Sequence, residues 1–151
     1  MTERVKSKML LVVFWVCGLL LGLTAAALLK DIFPHILYPI PLMRISVGSI
    51  ALRLFVSLVI TCIALILEKT WIFYLAALLK AFCVSYSVTA FTCVSDQGIC
   101  TVVYYGFPSV LLILFWLRYI PGFSPKAFRD LLICAMLFIA VSLVMTFICF
   151  S

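Results

Sequence analysis

A single lysine stands inside an apolar stretch of 24 residues, WIFYLAALLKAFCVSYSVTAFTCV, which spans residues 71–94. A helix rises ~1.5 Å per residue and the hydrocarbon core of a bilayer is ~30 Å thick, so this stretch is long enough to cross it. Lys80 then lies roughly 14 Å from the first residue, close to the midplane. An ammonium at that depth costs ~2.5–3.5 kcal/mol on insertion scales. We therefore expect Lys80 to face protein or water and to contact a partner or a solute.

Two further residues could serve such a contact. Ser85 lies on the same predicted helix, and Pro108 lies in the next apolar stretch. Proline removes a helical hydrogen bond, so Pro108 predicts a kink or a break. Carbonyls freed at such breaks coordinate ions in transporters, but no acid lies nearby, so a plain packing kink is the favoured interpretation. Nearby hydroxyls, those carbonyls or the acid of a partner protein could solvate the Lys80 ammonium, so the candidate contact residues are Lys80, Ser85 and Pro108.

The residue types that most catalytic sites need are missing from the interior of the apolar stretches. No Asp or Glu occurs there, which disfavours a proton relay and an intramembrane aspartyl site. The only histidine, His35, lies between stretches, which disfavours a serine–histidine pair within the membrane. Zinc-ligand spacings and phosphate-binding glycine motifs are also missing from the sequence. We expect a protein that is not an enzyme and that uses no metal and no cofactor.

Composition identifies the class of protein. The chain has 151 residues, 68% apolar and 11% charged, whereas a soluble domain is nearer half apolar and a quarter charged. The pattern predicts an all-α polytopic membrane helix bundle, a single integral membrane domain over residues 1–151 with about five transmembrane helices. A soluble basic surface is lacking, so we expect the lipid bilayer and not nucleic acid as a partner. The predicted spans are residues 9–29, 45–67, 71–94, 99–117 and 127–150.

The first span has an alternative interpretation as a cleaved signal peptide. The run Ala25-Ala26-Ala27 resembles a cleavage site. The apolar run is longer than the usual core of a signal peptide and ends at Lys30. We therefore expect a retained transmembrane helix.

Small residues recur at four-residue spacing in the first and third spans. Residues at i and i+4 share one face of a helix, and a face of small side chains lets another helix approach closely in lipid. We expect these two faces to pack helices together. The predicted packing residues are Gly18, Gly22, Ala77, Ala81 and Thr89.

Lysine and arginine predict the orientation. Five spans place the N-terminus, the 68–70 turn and the 118–130 connector on one side of the membrane. Positive residues favour the cytoplasmic side, so we expect a cell-membrane protein with a cytoplasmic N-terminus and an extracytoplasmic C-terminus. Arg53, near the start of the second span, is expected to snorkel to the nearer surface. The cytoplasmic side would carry Arg4, Lys6, Lys8, Lys69, Arg118, Lys126 and Arg129, and the other side Lys30 and Arg44.

The cysteines leave one question open. Five of the seven lie within apolar runs, where a small polarizable core residue is expected. Cys93 and Cys100 flank the short loop VSDQGI and could pair if that loop faces an oxidising compartment. The alternative is that both are ordinary residues at helix ends.

The stretch LLKAFCVSYSVTAF, residues 78–91, resembles the stage II sporulation protein M family. Members tend to show a hydrophobic helix with Lys-Gly, three residues, then Gly-Phe. Here Lys80 matches, Ala81 and Ser85 stand where glycines are usual, and Tyr86 stands for Phe.

The similarity continues into the next apolar segment. Members tend to have a proline there, as in the run Gly106-Phe107-Pro108, and the spacing from Lys80 is similar. The resemblance covers about residues 70–120. The first external connector of this chain is shorter than in larger members.

The resemblance implies a non-enzymatic multipass scaffold in a bacterial cell membrane. The sporulation member helps to anchor peptidoglycan-degrading enzymes during engulfment, so the expected function is to anchor or recruit membrane or envelope proteins of that kind. The alternative hypothesis is a small transporter or permease subunit for an anionic solute, with Lys80 and Pro108 lining the path. A path leaves Lys80 reachable by water, whereas a scaffold buries it.

Overall fold

A computed structural model describes residues 2–32, 47–94, 98–120 and 125–149, and in those ranges the chain forms five helices and no strand. All five helices are long and apolar enough to cross a membrane. The prediction of an all-α bundle with five such helices is confirmed, and the chain is a multipass membrane protein. The helices are α1 (Glu3–Ile32), α2 (Val47–Leu67), α3 (Thr70–Val94), α4 (Gly98–Tyr119) and α5 (Lys126–Cys149).

Helix α1 begins earlier than the apolar pattern predicts, because it extends through the charged N-terminal residues. The Thr2 carbonyl accepts hydrogen bonds from the backbone N–H groups of Val5 and Lys6, at 2.9 and 3.2 Å. Glu3 adds a negative charge in the first turn, where the helix dipole favours it. The part of α1 before residue 9 is therefore a helical extension of the membrane span.

A tight turn joins α2 to α3. Glu68 adopts a left-handed backbone conformation, with φ of 51°, directly after the last residue of α2. A left-handed residue at this position commonly ends a helix and reverses the chain. Helix α3 starts two residues later, so α2 and α3 are antiparallel neighbours. The end of the bundle that holds this turn is called the turn end below.

Four of the helices form a ring, and the first lies outside it. Helix α2 packs against α3, α3 against α4, α4 against α5, and α5 against α2. Helix α1 packs against the outer side of α3, which is the most extensive helix contact in the described chain. The sequence order therefore differs from the spatial order, since α1 is a neighbour of α3 and not mainly of α2.

The ring contains two apolar clusters. The larger lies toward the turn end, where the Trp116 side chain is 1% exposed and meets the Phe73 ring edge-on at 5.8 Å. The smaller lies toward the opposite end and contains Ile50, Tyr104 and Phe138. These clusters hold the four helices together and leave space between them.

Helix α4 continues through Pro108 without interruption. A break at Pro108 therefore does not occur, and the packing kink that the sequence favours stays a prediction. Proline in a helix removes its own N–H donor, and membrane helices tolerate it where neighbouring groups satisfy the freed backbone carbonyl. Pro108 is buried inside the bundle.

Candidate anion site

One face of α2 carries a polar residue on every turn: Ser49, Arg53, Ser57 and Thr61, at four-residue spacing. Three of these side chains donate to the backbone carbonyl one turn earlier, and the two hydroxyls among them do so as serine and threonine commonly do in membrane helices. Arg53 Nε donates to the Ser49 carbonyl at 3.3 Å, Ser57 Oγ to the Arg53 carbonyl at 2.7 Å, and Thr61 Oγ1 to the Ser57 carbonyl at 2.7 Å. The polar face points into the ring, because its residues are buried or half-buried.

Lys80 reaches this polar face from α3. Its Nζ donates a hydrogen bond of 2.6 Å to Ser57 Oγ. The lysine therefore faces protein, as its depth in the membrane led us to expect. Its bonded partner lies on another helix, however, and not among the hydroxyls of α3. Ser87, one of those α3 hydroxyls, instead donates to the carbonyl of Cys83 at 2.6 Å.

The Arg53 guanidinium lies over two aromatic rings of α4. Its central carbon is 4.5 Å from the centroid of the Tyr104 ring and 4.8 Å from that of Tyr105. Its Nη2 is buried and makes no hydrogen bond to any residue that the structure describes. The predicted snorkelling is therefore wrong. Cation–π contacts in a desolvated site contribute ~2 kcal/mol, which favours an inward position over the membrane surface.

Arg53 and Lys80 both line one cavity of about 420 Å³. This volume lies within the ~300–1,000 Å³ that is typical of small-molecule pockets. Helices α2, α3 and α4 supply most of the wall, with Phe138 from α5, and Pro108 is part of it. None of the described lining residues is an aspartate or a glutamate. The cavity thus holds two cations with no carboxylate beside them.

The polar groups around the cavity are mainly hydrogen-bond donors. Lysine and arginine side chains donate and never accept. The Ser57 hydroxyl proton is already used on the Arg53 carbonyl. Ser109 Oγ, in a side chain that is 1% exposed, lines the cavity and has no hydrogen bond to a described residue. An acceptor-rich anion is the chemical group that would match these donors.

The predicted small-residue faces of the first and third spans lie against each other. A β-carbon placed on Gly18 would overlap the carbonyl oxygen of Leu78 and lie 2.9 Å from Cβ of Ala81. One placed on Gly22 would lie 2.5 Å from the carbonyl oxygen of Phe82 and 2.9 Å from Cβ of Ser85. The backbones of α1 and α3 are therefore in direct contact at these glycines.

The other small residues of α3 belong to the same side or extend it. Ala77 and Ala81 are fully buried, and Thr89 Oγ1 donates to the Ser85 carbonyl at 2.8 Å. Ser85 faces α1 and is not among the lining residues of the cavity, so its contact with a partner or solute stays a prediction. Of the three predicted contact residues, the structure brings Lys80 and Pro108 together at the cavity.

Sequence reasoning missed Ser57, Ser109 and the inward position of Arg53. The regular polar spacing on α2 was the signal that could have revealed Ser57 and the inward position of Arg53. A lipid-facing helix would not repeat a polar residue on one face through three turns. Ser109 has no comparable signal, because a lone serine in a membrane helix commonly bonds its own backbone.

The cysteines are partly described. Cys17, Cys62, Cys83 and Cys134 are free, and Cys100 is disulfide-bonded. The side chain of Cys93 lies outside the described residues, so a pair between Cys93 and Cys100 stays a prediction. His35 also lies outside them.

Comparison with protein-family descriptions, with curated proteins and with solved structures finds no match to this chain. The resemblance of residues 78–91 to the stage II sporulation protein M family therefore stays a prediction. The functional argument rests on the cavity and its two cations.

Proposed function

We propose that this protein binds an anionic solute in the cavity between α2, α3 and α4 and carries it across the membrane, as a small transporter or permease subunit. The observation that carries this proposal is that Arg53 and Lys80 line one cavity without a carboxylate among its described residues. An isolated charge in a low-dielectric interior is unfavourable unless it is paired. A bound anion would compensate both cations, and the function needs no catalytic residue.

The contacts of α1 and α3 favour a carrier over a partner-binding scaffold. A scaffold that holds partners through helix faces needs those faces free. The small-residue faces around Gly18 and Ala81 are instead occupied by each other. Lys80 bonds to Ser57 inside the ring, so a partner's acid would have to enter the cavity to reach it. Recruitment of envelope proteins by these features is therefore the weaker hypothesis.

We further propose the cell membrane as the location, with a cytoplasmic N-terminus and an extracytoplasmic C-terminus. The bias of lysine and arginine toward the N-terminal side supports this orientation. Cys100 lies at the start of α4, at the end of the bundle opposite the turn end, and disulfides persist in oxidising compartments. Both features support a cytoplasmic location for the turn end.

Ligand-dependent stability tests the binding step. The purified protein, in a neutral detergent at constant ionic strength, would be unfolded thermally in sodium chloride, sodium phosphate or sodium octanoate. An anion that binds the folded state stabilises it by RT ln(1 + [L]/Kd), or ~2.7 kcal/mol at a hundredfold excess over Kd. We expect at least one anion to raise the unfolding temperature of the wild type with saturation.

Variants that remove one of the two cations test whether the stabilisation by anions depends on the cavity. Lys80→Met and Arg53→Met should fold, because each removes a desolvated charge, and should lose the anion-dependent stabilisation. Lys69→Met is the matched control, since Lys69 is exposed in the α2–α3 turn and should keep it. No stabilisation by any anion, or equal stabilisation in all four proteins, would refute the binding site. Anion flux into proteoliposomes then tests carriage, and binding without flux would remove the carrier claim.

A further inference from the structure

The mouth of the cavity lies on the lipid-facing side of the ring. Among the lining residues of α2 and α3, Val56 is 43% exposed, Leu79 is 53% exposed, and Cys83 is exposed as well. The lining residues of α4 and α5 are buried. The cavity therefore opens through the seam between α2 and α3, midway along both helices. A transmembrane helix is surrounded at that depth by hydrocarbon chains and not by water.

Helix α1 does not cover this mouth. It packs on the side of α3 that carries Leu78, Ala81 and Ser85. Leu79 and Cys83 lie on a different side of α3, because each residue is rotated by about 100° from the one before it. The seam between Val56 and Leu79 stays open to the bilayer.

The charged side chains and hydroxyls of the cavity lie at or beyond one level, and the wall between that level and the turn end is apolar. Ser57, Lys80 and Ser109 each lie ten residues from the turn end of their helix, which corresponds to ~15 Å, so they form one layer. Arg53 lies beyond this layer, away from the turn end. Between the layer and the turn end, the cavity is lined by Leu79 at the mouth and, nearer the turn end, by Ile60, Ala76, Leu112 and Trp116.

Trp116 is the lining residue nearest the turn end, and it offers an apolar surface to the cavity. The indole Nε1 of Trp116 donates to Thr61 Oγ1 at 3.1 Å, so its one polar group is already used. From the level of Ser109 to that of Trp116 the helix advances seven residues, or ~10 Å. The chains of a membrane phospholipid reach across half of the ~30 Å core, which exceeds this length. The apolar part fits a shorter chain.

We infer that the solute is a single-chain amphipathic anion of medium length that enters from the bilayer through the seam between α2 and α3. This inference rests on the proposed function and specifies its substrate class. The acid group, a carboxylate or a phosphate, lies at Lys80 and Arg53. The hydrocarbon chain lies along the apolar wall toward Trp116. An inorganic anion would leave that wall without a contact and would have to pass an apolar mouth.

Fluorescence of Trp116 tests the inference. In a Trp15→Phe, Trp71→Phe background, Trp116 is the one remaining tryptophan of the three in the chain. A bromine atom quenches an indole that it touches. We expect octanoate brominated at its terminal carbon to quench Trp116 with saturation, and the bromide ion to leave it unchanged. Unlabelled octanoate and octyl phosphate then compete with the brominated probe. Displacement by both shows that the site accepts a carboxylate or a phosphate head, and displacement by octanoate alone shows that it prefers carboxylates. Neutral octanol should not compete.

Substitutions at the mouth test the route. Val56→Phe with Leu79→Phe narrows the seam and should slow the onset of quenching several-fold without removing the cations. Val59→Phe is the matched control, because Val59 is exposed on α2 and does not line the cavity. If the double variant does not fold, the comparison of long and short anions in the protein without mouth substitutions still tests whether the solute is amphipathic.

The outcomes separate this inference from the proposed function. If bromide and acetate bind as well as the octanoate anions, anion binding stands and the amphipathic substrate is refuted. If octanol competes, or if quenching persists in Lys80→Met, the cavity takes apolar molecules in general and the inference also falls. If no anion of either kind binds or stabilises the protein, the proposed function itself is wrong.

Discussion

Lys80 of α3 donates a hydrogen bond to Ser57 of α2, and the Ser57 hydroxyl in turn donates a hydrogen bond to the Arg53 carbonyl within α2. One hydroxyl therefore orients the lysine and ties it to the helix that carries the second cation. Helices α2 and α3 contact each other less extensively than the other neighbouring helices of the ring do, so this bond is an important link across the seam. Ser57 therefore contributes both to the stability of the bundle and to the position of Lys80 in the cavity.

Ser57→Ala tests that link. We expect a loss of ~1–3 kcal/mol in the free energy of unfolding, because the Lys80 ammonium loses its described acceptor while it remains half-buried. Reversible unfolding in mixed micelles measures it. Ser87→Ala is the matched control: Ser87 also lines the cavity but bonds only within its own helix, so it should change stability much less. Equal losses would show that the bond between helices contributes nothing beyond a lost hydroxyl.

Glycine substitutions test the contact between α1 and α3. Gly18→Ala and Gly22→Ala should each lower stability by ~1–3 kcal/mol, since the new β-carbon must push the two backbones apart. Gly106→Ala is the control, because nothing lies within 4 Å of a β-carbon at that site. It should be neutral or stabilise by ~0.5–1 kcal/mol, as alanine does in place of a helical glycine. A destabilising Gly106→Ala together with harmless changes at Gly18 and Gly22 would contradict the predicted packing.

A cluster at the turn end joins α4 to α5. Tyr119 Oη donates to Asp130 Oδ2, and Arg118 Nη1 lies 3.2 Å from the same oxygen. The Asp130 side chain is 15% exposed and accepts from the buried Tyr119, so Asp130→Ala should lower stability by more than Arg129→Ala does. Arg129→Ala should change it by less than ~1 kcal/mol, because that side chain is 74% exposed. Thermal unfolding that ranks the two variants in the reverse order would exclude Asp130 as the centre of the cluster.

The five crossings predict opposite locations for two parts of the chain. A reporter fused after Ser151 should report the extracytoplasmic side, and one inserted in the 118–130 connector the cytoplasmic side. The physical reason is the excess of lysine and arginine on the N-terminal side. Reports from the same side would mean that α5 does not cross the membrane. A fusion at the α2–α3 turn is the internal control and should agree with the connector.

Much of the fold was accessible from the sequence. A chain in lipid must satisfy its backbone hydrogen bonds internally, so each long apolar run has to be a helix. The small-residue faces were visible in the same way, because four-residue spacing puts Gly18 and Gly22, or Ala77 and Ala81, on one side of a helix. These predictions need only the local sequence.

The site was less accessible, because it depends on which helices are neighbours. Nothing in the local sequence around Lys80 says that α2 supplies its hydroxyl, since any adjacent helix could. Arg53 has a side chain long enough to reach either the surface or the Tyr104 and Tyr105 rings, and the choice follows from where α4 lies. Pro108 predicts a lost hydrogen bond, but the surrounding helices decide that the backbone continues through it.

The position of α1 outside the ring has a consequence for synthesis. Gly18 emerges from the ribosome 63 residues before Ala81, and translation adds ~5–20 residues per second, so α1 waits several seconds for its partner. During that interval its glycine face is open to any helix in the insertion machinery. Helix α2 arrives first but is not the main neighbour of α1. Assembly of this protein therefore depends on α1 staying close to the growing chain, and a slower passage of α2 and α3 would lengthen the time in which α1 can associate with another protein.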